Sequence, residues 1–134
     1  MKFDIDRCIK LGLLKRIPPS KEKAEGSMKN AENWLREAKN NLQNLTFRSC
    51  ILTSYLAMFH AARAILFIDG FREKSHFAVA RYLEDKYVKT KLLEREWVDI
   101  LDFYRETRHE DQYSISFLLQ KKNRKKHSNL QGDL

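Results

Sequence analysis

A chain of 134 residues, 43% hydrophobic and 33% charged, is long enough to bury one core and too apolar to be disordered. Four glycines and two prolines are too few to turn a sheet protein of this size repeatedly, which excludes most all-β folds. The formal charge of +8 points toward an anionic partner.

Residues 4–16 read as a short first helix, with Asp4 as its N-cap and Gly12 as an interruption. Pro18 and Pro19 then stop it, because proline lacks an amide donor and restricts the residue before it. Asp4, Asp6, Arg7 and Lys10 break up the apolar residues here, unlike a signal peptide, and no stretch is expected to approach a membrane span. The expected compartment is the cytoplasm. Ser20 opens a helix of roughly 25 residues, in which Ala24, Met28, Ala31, Trp34, Leu35, Ala38, Leu42 and Leu45 recur at steps of three and four.

A second long helix spans about residues 46–69 and is apolar nearly all round, as suits the centre of a bundle. Leu52, Leu56, Phe59, Arg63 and Phe67 share one face, and Ala57, Ala61, Ala62 and Ala64 keep the rod slim. Gly70 is placed to end it, with a loop over 70–74. Ser75 caps a third helix of about 76–88 carrying Val79, Leu83 and Tyr87. A fourth, about 93–110, carries Leu93, Trp97, Ile100, Leu101 and Tyr104, and its stripe continues to Arg108. Residues 114–120 read as either a short fifth helix or an extended segment. The fold class predicted is all-α: an up-and-down antiparallel bundle of four to five helices over residues 1–119, then a basic tail, 120–134. Lys121, Lys122, Arg124, Lys125 and Lys126 account for about half the excess charge.

Most catalytic signatures are missing. No phosphate-cradling glycine loop, zinc-binding His pair or nucleophile elbow occurs, so no cofactor and no metal are expected. Cys8 and Cys50 lie far apart among apolar residues and read as buried free thiols. Two polar groups stand out as candidates for binding nucleotide or RNA. His60 and Arg63 are three apart on the central helix, and Arg105 and Arg108 precede Asp111 and Tyr113 at the end of the fourth. A guanidinium offers phosphate two parallel hydrogen bonds, and a tyrosine ring offers a base a stacking surface. The plainer alternatives are a structural Arg108–Asp111 pair and an interior histidine at His60.

The segment SYLAMFHAARAILFIDGF, Ser54 to Phe71, resembles the small prokaryotic HEPN proteins. So do the opening CIKLGLLKRIPPS, the stretch with Lys74 and His76, YVKTKLL, and RETRHEDQY. The resemblance covers roughly residues 5–117. It implies a helical bundle, often a homodimer, that partners a minimal nucleotidyltransferase in a toxin–antitoxin type of pair. Ribonuclease members of that family carry an Arg-x(4–6)-His motif, in which histidine moves the 2′-hydroxyl proton and arginine holds phosphate. Here no histidine follows an arginine at that spacing, and Tyr113 stands five residues after Arg108. The leading expectation is therefore a non-catalytic nucleotide- or RNA-binding module. The alternatives are a metal-independent endoribonuclease toxin using Arg108, Asp111 and Tyr113, and a purely structural oligomerisation bundle.

Overall fold

Asp4 caps the first helix as expected: its Oδ1 accepts a hydrogen bond from the Arg7 amide at 2.8 Å, and α1 (Ile5–Lys10) follows. The computed structural model describes residues 2–107. Arg108, His109, Asp111, Tyr113, the segment 114–120 and the tail lie outside the described residues.

The first helix is shorter than its sequence suggests. It ends at Lys10, Gly12 turns the chain at a φ of +73°, and Leu14–Arg16 leaves as a strand, β1. Its partner β2 (Phe71–Glu73) occupies the expected loop, pairing antiparallel as Leu14 with Glu73, Lys15 with Arg72 and Arg16 with Phe71. Three residues are too few to show the alternation that marks a strand.

Ser20 accepts from the Lys23 amide at 3.1 Å and opens α2 (Lys21–Gln43). A turn through Leu45, at a φ of 59°, leads into α3 (Phe47–Asp69). These two 23-residue helices form an antiparallel hairpin about 33 Å long. Gly70 ends α3 with a φ of +87°, and a Cβ there would meet Ile17 O at 2.9 Å. The left-handed turn and the close approach of the chain leading into α2 both require glycine.

α4 (His76–Leu83) starts at Ser75, whose Oγ accepts from the Phe77 amide, and runs on as a π-helical turn, Glu84–Val88. Residues 95–107 form α5, two residues later than expected. Among the described residues, five helices and one small two-stranded ribbon bear out the all-α bundle. The main core gathers Cys8, Leu14, Tyr55, Phe59, Leu66, Phe71, Val79, Tyr82, Val98 and Leu101.

Several faces differ from the expected ones. On α2, Ala24, Ser27, Ala31 and Ala38 are buried, but Met28, Leu35 and Leu42 of the same stripe are 42%, 47% and 56% exposed. Helical period fixes which residues share a face, not how wide an arc the neighbouring helix covers. On α5 the buried row is Val98 and Leu101, with Trp97 53% exposed. Arg105, four residues on from Leu101, takes the next inner position. α3 also corrects the membrane expectation, being long and apolar enough to cross a bilayer by length and composition. In this fold it is the central helix, packed along α2 and into the core.

At the C-terminal end of α3, Asp69 Oδ2 accepts from Tyr82 Oη at 2.7 Å and Tyr87 Oη at 2.5 Å. Burial, and next the Asp69 carboxylate, push both phenols above their usual value, Tyr87 to about 12. The bond pair holds α4 and its π turn against the end of α3.

Candidate functional site

Arg63 is the one cation that the central helix turns inward. Phe59 and Phe67 stand four residues before and after it, and its guanidinium lies 5.9 Å and 5.3 Å from their ring centroids. Its Nε sits 2.7 Å from Glu73 Oε1, a charge contact outside hydrogen-bonding alignment. Glu73, on β2, has a side chain only 5% exposed, and its Oε2 has no hydrogen-bond partner. Two aromatic rings and a buried carboxylate therefore fix one side of the guanidinium. No described residue hydrogen-bonds its Nη1 or Nη2.

The head of Arg63 borders an open cleft of about 450 Å³ between α2 and α3, lined also by Lys23, Gly26, Ser27, Lys29, Asn30, Asn33 and Phe67. Among the described residues, three cations, two amides and no carboxylate line it. Gly26 lies mid-helix, and a Cβ there would meet nothing within 4 Å. A helical glycine costs about 1 kcal/mol relative to alanine, and no internal packing explains this one. Beside it along α2 lies a smaller depression of about 200 Å³ that shares Asn30 and Asn33 and adds Trp34 and Glu37. Sequence reasoning found Arg63 but missed these α2 residues. Their signal was present: Lys23, Ser27, Asn30, Trp34 and Glu37 step by four and three, a polar row that meets the apolar stripe at Trp34.

The other candidates lie elsewhere. The His60 backbone oxygen accepts from Ser27 Oγ at 2.6 Å, and its ring packs edge-on against Phe59 at 5.4 Å. His60 Nδ1 is buried without a partner, and the ring is not among the groups lining the cleft. Burial, then the charge of Arg63, lowers the His60 pKa and favours neutral imidazole. Arg105 donates to Asp102 at 2.8 Å and lies 5.3 Å from the Phe77 ring centroid. Asp102 also pairs with Arg81. The structure thus separates His60 and Arg63 from Arg105, while Arg108, Asp111 and Tyr113 fall outside the described residues. Among the described residues, no three His, Cys, Asp or Glu side chains converge as a metal site.

The HEPN domain model matches residues 24–130, four-fifths of the chain. The chain belongs to the HEPN family. A UPF0332 protein of Pyrococcus horikoshii is 30% identical over 95 residues, covering 71% of this chain and 67% of that protein. No solved structure matches. Within this HEPN chain the match takes in α2 from Ala24 onward, α3 and the Arg63 cleft apart from Lys23, but not α1 or the first strand of the ribbon.

Proposed function

We propose that this HEPN chain is a non-catalytic binding module that receives the phosphate of a nucleotide or RNA in the α2–α3 cleft. The observation that carries the reading is Arg63, clamped by Phe59, Phe67 and Glu73 with neither terminal nitrogen bonded to a described residue. A guanidinium fixed in this way loses little side-chain freedom on binding, and the cleft supplies Lys23 and Lys29 beside it. The missing Arg-x(4–6)-His spacing favours binding over cleavage. Titration with inorganic phosphate, a mononucleotide and short RNA at two salt concentrations tests the idea. Binding that weakens with salt, and falls at least tenfold in Lys23→Glu/Lys29→Glu, is expected. A protein that binds none of the three anions retires it.

The partner proposed is a minimal nucleotidyltransferase, with co-purification as its test. A second copy of the chain is also proposed as a partner. Met28, Leu35 and Leu42 form an exposed row at heptad spacing along α2, and Ile68 of α3 is 58% exposed beside it. An antiparallel copy centred on Leu35 sets Met28 against Leu42 and Glu32 against Lys39. The face opposes apolar to apolar and acid to base.

A further inference from the structure

We infer that the ligand of this cleft is a guanine nucleotide, held by phosphate at the Arg63 end and read by Glu37 at the other. The inference rests on the phosphate-binding reading above and adds a base to it. The two depressions adjoin along α2, since Asn30 and Asn33 line both. Lys23, Lys29 and Arg63 occupy one end, and Trp34 and Glu37 the other. Lys29, the phosphate-end cation nearest the other depression, is eight residues from Glu37, about 12 Å along the helix axis. That offset matches a phosphate, a sugar and a base laid in series. Bare backbone at Gly26 lets the phosphate end approach α2 closely.

Trp34 is half-buried, so its indole presents a fixed surface against which a base ring stacks. Asn33 Oδ1 already accepts from Arg36, which leaves its amide N–H groups to donate to the sugar or phosphate. Glu37 makes no ion pair or hydrogen bond with any described residue. Its neighbours three and four positions away along α2 are Asn33, Trp34, Asn40 and Asn41, none of them a cation. The only carboxylate that the described residues bring to these depressions is thus left without a counter-charge three or four positions away on its helix.

A carboxylate is an acceptor on both oxygens, so it selects a base edge that offers two adjacent donors. Guanine does so with N1–H and the 2-amino group. Adenine and cytosine each place a ring-nitrogen lone pair beside the amino group, which the carboxylate repels. Uracil flanks its one N–H with carbonyl oxygens. The edge chemistry singles out guanine.

The test uses the full chain in a Trp97→Phe background, so that Trp34 reports stacking by fluorescence. GMP, IMP, AMP and inorganic phosphate are titrated as separate probes. GMP is expected to bind at least tenfold more tightly than AMP, with IMP, which lacks the 2-amino group, between them. Glu37→Gln is expected to erase that ranking, with inorganic phosphate still bound. Equal affinity for GMP and AMP in the parent protein overturns the guanine assignment while the phosphate reading stands. A guanine preference that survives in Glu37→Gln overturns the role given to Glu37. Failure to bind any of the four probes removes the underlying reading, and this one with it.

Discussion

Replacing Arg63 by methionine separates what the residue does for the fold from what it does for a ligand. Glu73 is buried and one of its oxygens is already unpartnered, so losing Arg63 leaves a carboxylate inside the protein with no counter-charge. Breaking a buried pair by removing one partner typically costs about 3–5 kcal/mol. The Arg63 side chain is 24% exposed, so water softens the loss and about 2–4 kcal/mol is the better figure. At roughly 4 °C per kcal/mol for a domain of this size, Tm falls by about 8–16 °C. Urea denaturation followed by circular dichroism measures the cost. Replacing both partners, Arg63→Met with Glu73→Leu, is expected to recover most of it, because an apolar pair of similar size carries no desolvation penalty. Phosphate binding stays lost in the double variant and is retained in Glu73→Gln, which keeps the guanidinium between its two rings. Arg63→Met within about 0.5 kcal/mol of the parent protein, or a double variant whose losses simply add, refutes the reasoning.

Gly26→Ala is expected to raise stability by about 0.5–1 kcal/mol, since the new methyl meets nothing, while weakening phosphate and nucleotide binding. Thermal melts and titrations on the same samples check both signs. Tyr82→Phe and Tyr87→Phe should each cost about 1–2 kcal/mol by depriving Asp69 of a donor. Both phenols have folded pKa values above the usual 10, so their contribution is complete below pH 10; that of Tyr87 disappears as the pH rises toward about 12, while that of Tyr82, raised further, declines over the same range without vanishing. Alkaline denaturation profiles of the parent and the two variants display that window, and a parent protein as stable at pH 11.5 as at pH 9 contradicts it. Leu35→Glu should turn a dimer into a monomer with no loss of Tm at low concentration, read by light scattering at tens of micromolar. A parent chain that is monomeric there removes the proposed self-pairing.

Helices α2, α3 and α4 were legible because their ends carry strong local chemistry: Ser20 and Ser75 at two starts, and Gly70 at one stop. The β1–β2 ribbon was not, since three residues show no period and each strand finds its partner far along the chain. The exposed row of α2 was hidden for a different reason. Small residues at Ala24, Ala31 and Ala38 seat α2 on α3 along a narrow arc, so the larger apolar residues beside them reach solvent. The site was half readable. Phe59 and Phe67 flank Arg63 at helical spacing within one helix, but the charge from Glu73 and the cleft wall from α2 come from elsewhere in the fold.

The ribbon lies at the open end of the α2–α3 hairpin, where the Ile17 amide also bonds Gly70 O and the Ser20 amide bonds Phe67 O, both at 2.9 Å. A helical hairpin ordinarily frays where its two arms are free and is steadiest at its turn. Here the free arms are stitched together by backbone bonds and by the buried Glu73, whereas the turn carries Leu45 and Phe47, 70% and 59% exposed. The gradient of amide hydrogen exchange should therefore run backwards, slow from residue 16 to 24 and from 63 to 73, fast around the turn. Arg63 then sits at the stiff end of its helix.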